Sequence, residues 1–186
     1  MKPIVYFAGK ISPTDWRTQI LGSRAGASSN DWDDNYGFKR LLNDEAMTID
    51  CGSFLYGGPF FISCDHGCAH GLGTHGAAPD GCLYGSSNGQ LEVRQGIWLI
   101  NQKRIERADY VFCYINETNC FGTLIELGYA SAKFKTICVA FGPKVSIREH
   151  EDLWMAQQCG FLAPVLYGEP QETFKEFSER WIRGNQ

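Results

Sequence analysis

The sequence lacks three features that would place it with membrane proteins, nucleic-acid-binding proteins or secreted proteins. No apolar run approaches the roughly 18–20 residues that a membrane-spanning helix requires. Acidic residues exceed basic ones, 21 against 17, so the net charge of -4 offers no basic surface for a nucleic acid backbone. The opening residues, MKPIVYFAG, lack the long apolar segment of a signal peptide. We therefore expect no membrane and no nucleic acid polymer as partner, whereas a free nucleotide needs only a few local donors.

The eight cysteines do not have the character of a disulfide framework. Cys113 and Cys138 fall inside apolar runs, where small buried thiols are common. With 44% hydrophobic residues over 186 positions, the chain can build a core without covalent links. A reduced, cytoplasmic setting is expected.

The alternation of apolar runs with amphipathic segments predicts an α/β fold. Strands are predicted at residues 4–8, 59–63, 109–115, 136–141 and 161–166, and helices at 12–21, 91–107, 123–134, 146–158 and 172–183. Strands that alternate with helices are typical of a parallel sheet, here of about five strands, with helices on both faces. We expect a single domain over residues 1–186, with a loop-rich insertion at about 23–89.

Several polar segments follow predicted strands and should meet at one edge of the sheet. Gly9 follows the first strand, Cys64 the second, and the loop 116–122 the third. Ligands of parallel α/β sheets bind beyond the carboxyl ends of the strands. Lys10 and Arg17 lie just past the first strand and could meet an anionic group there, with a solvated surface role as the alternative.

Glu126 lies three residues after Thr123 at the predicted start of a helix, and this position has two interpretations. The first is a capping box, S/T-x-x-E, in which both side chains satisfy free backbone donors. In the second, the helix N-terminus keeps the carboxylate ionised near neutral pH. An ionised carboxylate can attack an anomeric carbon, and Gly122 would let a sugar approach the backbone closely.

The Gly-rich segment 64–89 carries an unusual alternation of cysteine and histidine. Cys64, His66, Cys68 and His70 offer thiolates and imidazoles, which are good zinc ligands. Their spacing is tighter than the common C-x₂₋₄-C arrangement. Three interpretations remain open: a structural zinc site, a metal-free loop that lines the substrate, and a loop with a structural role only.

The stretch from Ala108 to Phe141 and the opening strand together carry a family resemblance. The pattern is Asp109 before a strand, then Gly122-Thr123, Glu126-Leu-Gly-Tyr-Ala, and a further strand after a basic residue. With the first strand, IVYFAGKI, it resembles the nucleoside 2-deoxyribosyltransferase family and its nucleotide N-glycosidase relatives. The resemblance covers roughly residues 1–10 and 90–141, and it leaves 12–89 unaccounted for.

The resemblance implies a flavodoxin-like fold and an N-glycosyl transferase or hydrolase that requires no cofactor. Glu126 would be the nucleophile that takes the sugar of a nucleoside or nucleotide from its base, forming a covalent glycosyl intermediate. Substrate-binding residues would be Tyr6, Gly9, Asp109, Cys120, Gly122 and Thr123. Family members assemble as homo-oligomers whose neighbouring subunits complete the pocket, and Phe38, Trp154 and Tyr167 are candidate apolar surface residues.

Two positions depart from the family pattern. Asn101 stands where the family has a carboxylate that handles the base, and an amide cannot supply a proton at neutral pH. Cys120 stands where relatives have an acid or a serine that contacts the 5′ end of the sugar. These departures favour the alternative of a nucleotide-binding module without turnover. An NAD-type glycohydrolase is a further alternative, as a variant of the same N-glycosidic chemistry. For Asn101, Asp109 and Tyr6, the plain structural alternatives are an amide tied to backbone, a strand-end cap and a core tyrosine, respectively.

Overall fold

A computed structural model of the protein describes residues 1–10, 16–22, 48–59, 88–160 and 165–184. The strands within these ranges are β1 (Ile4–Gly9), β2 (Ile49–Asp50), β3 (Leu55–Tyr56), β4 (Tyr110–Ile115), β5 (Thr136–Phe141) and β6 (Leu166–Tyr167). The helices are α1 (Arg17–Leu21), α2 (Asn88–Arg107), α3 (Phe121–Ala132), α4 (Ile147–Asp152), α5 (Trp154–Cys159) and α6 (Pro170–Phe177), and α6 continues into a π-helical segment, Ser178–Arg183.

The strands form one sheet in the order β2-β3-β1-β4-β5-β6. All neighbouring strands are parallel except β2 and β3, which form a short antiparallel pair. The predicted α/β class with a mainly parallel sheet is confirmed, although the described residues contain six strands instead of about five. Without the edge strand β2, the order is the 2-1-3-4-5 arrangement of flavodoxin-like sheets.

The three central strands, β1, β4 and β5, are buried on both faces because their residues are apolar almost without interruption. Phe7 and Phe112 face one core, where they pack against Phe174 of α6. Tyr6 and Val111 face the other core, which also contains residues of α3 and α5. Alternate residues of one strand thus supply two separate cores.

Several predicted boundaries are wrong, and most errors concern short elements. The predicted strand 59–63 is not found at residue 59; the strand that pairs with β1 is β3, four residues earlier, and 60–63 lie outside the described ranges. The predicted helix 146–158 is two helices, α4 and α5, with Leu153 between them. The last helix begins two residues early because Pro170 is favoured in a first helical turn. Most of the predicted insertion at 23–89 falls outside the described residues.

The sheet order creates a topological switch point between β1 and β4. From β1 the chain continues to β3 on one side, and after α2 it enters β4 on the other side. Open α/β sheets bind their ligands at such a point, beyond the carboxyl ends of the strands. Gly9 and Lys10 lie there, opposite the loop 116–120 that follows β4. In the described part of the chain, no helix combines the length and apolar character needed to cross a membrane.

Candidate active site

Glu126 is the centre of a hydrogen-bonded group built from three elements. The Tyr6 hydroxyl of β1 donates a hydrogen bond of 2.6 Å to Glu126 Oε1. The Asn101 amide of α2 donates a second hydrogen bond, of 3.2 Å, to the same oxygen. Tyr6 is fully buried and Asn101 is 5% exposed, so both donors are held by the core. Their positions decide the orientation of the carboxyl group.

The capping-box interpretation of Thr123 and Glu126 is wrong. Helix α3 begins at Phe121, two residues earlier than predicted, and its N-cap is Cys120, which makes no side-chain cap hydrogen bond. Glu126 therefore lies beyond the first helical turn, and no acidic residue lies within that turn. Its carboxyl faces Tyr6 and Asn101 instead of the free backbone donors at the helix start.

Burial dominates the protonation of this carboxyl. Removal from water raises the pKa of Glu126 to about 7, although the hydrogen bond from Tyr6, the charge of Arg17 and the hydrogen bond from Asn101 all lower it. The expectation that the helix N-terminus keeps the group ionised near neutral pH is therefore wrong. At neutral pH the carboxyl is close to half protonated. Burial and the neighbouring Glu126 charge raise the pKa of Tyr6 well above its usual range, so Tyr6 stays a donor.

A cavity of about 200 Å³ opens beside this carboxyl. Its lining includes Gly9, Lys10, Cys120, Gly122, Thr123 and Glu126. The cavity thus brings together four of the predicted substrate-binding residues with the predicted nucleophile. Cys120 and Thr123 are each 3% exposed. Burial raises the pKa of the Cys120 thiol, so this side chain is neutral at physiological pH.

Arg17 is fully buried, which excludes the solvated surface role. Its guanidinium donates to the carbonyl oxygens of Phe7, at 2.9 Å, and Gly9, at 2.7 Å. It therefore holds the end of β1 where the cavity begins. Its charge also favours the ionised form of Glu126 and lowers the pKa of that group.

Asp109 lies at the opposite edge of the sheet from the cavity. Its carboxylate accepts a hydrogen bond of 2.7 Å from the backbone N–H of Ile4, and its own N–H donates to the Ile4 carbonyl at 2.9 Å. These contacts align the starts of β1 and β4. The placement fits the strand-end alternative and does not fit the predicted contact with substrate.

The predicted zinc ligands Cys64, His66, Cys68 and His70 lie outside the described residues. Among the residues that are described, no three or more histidine, cysteine or acidic side chains gather in a way that could hold a metal ion. Structural zinc therefore stays a prediction for segment 64–89. Metal analysis of the purified protein would test it.

The sequence predicted for Lys10 either an anion contact or a solvated surface role, and it gave no prediction for Asn119 or Trp16. The Lys10 ammonium lies 2.9 Å from Glu117 Oε2 and 2.9 Å from Asn119 Oδ1, across the edge of the sheet from β1 to the loop after β4. Adjacent strand ends were the signal that could have found this contact. Trp16 is 7% exposed and packs against Phe7 and Tyr114. Its place depends on packing against distant residues, which no short sequence pattern specifies.

No protein-family model, curated protein or solved structure matches this chain. Its function is therefore inferred from the site itself, together with the sequence resemblance.

Proposed function

We propose that the protein cleaves or transfers the N-glycosidic bond of a (deoxy)nucleoside or nucleotide through a covalent intermediate on Glu126. One observation carries the proposal. The carboxyl that the family resemblance singles out lines a cavity, and two buried donors from distant segments hold one of its oxygens. Such positioning is what an attacking carboxylate requires.

The two oxygens of Glu126 have different environments. Oε1 accepts hydrogen bonds from Tyr6 and Asn101, whereas none of the described residues donates to Oε2. In the proposed reaction, Oε2 attacks the anomeric carbon, the bond between that carbon and the base nitrogen breaks, and its electron pair leaves with the base. Water or a second base then attacks the same carbon and releases Glu126.

Asn101 limits which base can leave easily. Its amide already donates to Glu126 and cannot supply a proton to a departing base. The Tyr6 hydroxyl is likewise committed to Glu126, and its raised pKa makes it a poor acid. A base that departs without protonation suits this arrangement. The pyridinium base of NAD is of this kind, because it becomes neutral when it leaves, and this favours the NAD-type variant.

The test is an assay of base release and base exchange. The protein is incubated with deoxynucleosides, their 5′-monophosphates and NAD, with and without an acceptor base, and the products are separated by chromatography. We expect release or exchange by the natural chain and none by Glu126→Gln. Glu106→Gln, which removes an exposed carboxylate at the end of α2, is the matched control. Full activity of Glu126→Gln would refute the proposed mechanism.

A nucleotide-binding module without turnover is the second candidate function. It is favoured by Asn101 and by the pKa of about 7 for Glu126, since a half-protonated carboxyl is a weaker nucleophile. Ligand-induced thermal stabilisation without any product would support it. A glycosyl adduct on Glu126, detected by mass spectrometry after acid quenching, would eliminate it.

We also propose that the chain forms homo-oligomers that share active sites and functions in the cytoplasm. Phe121 is 72% exposed and Ile125 is 60% exposed, and Phe121 lines the cavity, so a second subunit could cover both. Trp154 and Tyr167 are exposed as well, while Phe38 lies outside the described ranges. Cys113, Cys120, Cys138 and Cys159 form no disulfide with any other described residue, which supports a reducing compartment. Light scattering at several concentrations tests the assembly.

A further inference from the structure

A second cavity, of about 290 Å³, shares Lys10 in its lining with the cavity at Glu126. Its polar and aromatic lining includes Lys10, Trp16, Tyr114, Glu117, Lys144 and Glu169. Small-molecule sites usually occupy roughly 300–1,000 Å³. Each cavity alone is below that range, and the two together fall within it.

Lys10 joins the two cavities, because this residue lines both. Its ammonium contacts Glu117, which lines the second cavity, and Asn119, which lines the first. The Lys10 and Glu117 side chains are 37% and 46% exposed, so their ion pair is worth about 1 kcal/mol or less. An anionic ligand could therefore displace Glu117 from Lys10 at small cost.

Trp16 offers an unused donor at the same junction. The indole Nε1 is buried, and none of the described residues accepts a hydrogen bond from it. A Cβ added to Gly9 would lie 2.7 Å from Nε1, so the N–H sits against the residue that borders the first cavity, while Trp16 itself lines the second. Buried donors are nearly always paired. An acceptor supplied from outside the chain would satisfy this one.

Cys120 is a poor partner for a phosphate at the 5′ end of the sugar. A neutral, buried thiol is a weak hydrogen-bonding group and brings no charge to a phosphate. Among the described residues that line the Glu126 cavity, Lys10 is the cation. Lys144 lines the second cavity and is exposed, so a second cation is available there beside Glu117 and Glu169.

We infer that the substrate is a nucleotide extended beyond its 5′ phosphate, such as a dinucleotide or another nucleoside diphosphate ester. The reacting sugar lies at Glu126, the phosphates bridge the junction at Lys10 and the Trp16 N–H, and the remote group fills the second cavity. Glu169 there can accept hydrogen bonds from sugar hydroxyls, the role acidic residues play in dinucleotide sites of α/β sheets. The inference rests on the proposed function for the identity of the reacting end.

The test compares three ligands that share one reacting end: nicotinamide riboside, nicotinamide mononucleotide and NAD. Their dissociation constants are measured by calorimetry with Glu126→Gln, so that no turnover interferes. We expect NAD to bind about tenfold tighter than the mononucleotide, or better. Adding Trp16→Phe or Lys144→Met should reduce this ratio about three- to tenfold, the effect of one lost hydrogen bond or charge contact.

Lys133→Met is the matched control, because it removes an exposed lysine that pairs with Glu106 on α2 and should leave the ratio unchanged. Lys144 is exposed, so its variant tests the inference even if Trp16→Phe folds poorly. Equal affinity for NAD and the mononucleotide, or a ratio that neither variant alters, overturns the inference. Base release by the natural chain is measured separately, so turnover of the mononucleotide without an NAD advantage would leave the proposed function standing alone.

Discussion

Glu126 and Glu106 make similar contacts and have opposite pKa shifts. Each accepts a hydrogen bond of 2.6 Å from a tyrosine hydroxyl, from Tyr6 and Tyr129 respectively. Burial raises the pKa of Glu126 to about 7. At Glu106, which is exposed, hydrogen bonds from Lys133 and Tyr129 lower the pKa. Removal from water therefore affects the pKa of a carboxyl more than a hydrogen bond from a tyrosine does. The reactivity of the carboxyl depends on where it lies in the fold.

The largest expected difference between the two glutamates is in turnover. Under the proposed mechanism, Glu126→Gln should reduce base release about a thousandfold or more, because the variant lacks the proposed nucleophile. Glu106→Gln should stay within about twofold of the natural chain, because Glu106 lies on the surface at the end of α2. The measurement is the initial rate with the best substrate. Comparable losses of activity in both variants would contradict a special role for Glu126.

The pH dependence of kcat/KM should report the Glu126 carboxyl of the free protein. Attack requires the ionised form, so activity should rise about tenfold per pH unit below a half-point near 7 and level off above it. Glu106→Gln should leave this half-point in place, since the two carboxyls do not contact each other. A half-point near 4.5, the ordinary value, would show that burial does not control Glu126.

Folding stability should respond to pH with opposite sign at the two sites. The folded state holds the Glu126 proton more tightly than the unfolded state. The contribution of Glu126 to the free energy of unfolding is therefore fully present below pH 4.5, and it is lost as the pH rises through about 7. The loss should reach at most about 3 kcal/mol. Glu126→Gln should remove it and be more stable than the natural chain above pH 7. Glu106, with its lowered pKa, should contribute stability that is lost on acidification.

Urea denaturation of the natural chain and both glutamine variants, across pH 4 to 8, measures these slopes. Parallel pH profiles for the natural chain and Glu126→Gln would refute the assigned burial effect.

The smallest expected effects come from the two tyrosine donors. Tyr6→Phe removes a hydrogen bond that lowers the Glu126 pKa, so the half-point should move further above 7 and kcat/KM at pH 7 should fall about three- to tenfold. Tyr129→Phe removes the matching bond to Glu106 and should change activity by less than about twofold. The pH profiles of both variants provide the comparison. A Tyr6→Phe half-point below that of the natural chain would contradict the assigned role.

Prediction from sequence succeeded where short-range pattern controls structure. The apolar runs of β4 and β5 can be buried only in a sheet covered on both faces, so these strands were predicted to within a residue. It failed at β2 and β3, where strands of two residues leave no period to detect. It also failed at the start of α3, because the S/T-x-x-E pattern at Thr123 imitates a cap and Cys120 offers no recognised capping side chain.

The sequence by itself determined the α/β class, the strand ends that meet at one edge of the sheet, and the choice of Glu126 as the residue to examine. These follow from local periodicity and from residue types in a fixed order. Only the tertiary structure decided that Tyr6, 120 positions away, and Asn101, 25 positions away, hold the Glu126 carboxyl, and that Lys10 joins two cavities. The physical reason is that burial and long-range contacts, which determine the pKa and the shape of a site, exist only after the chain has folded.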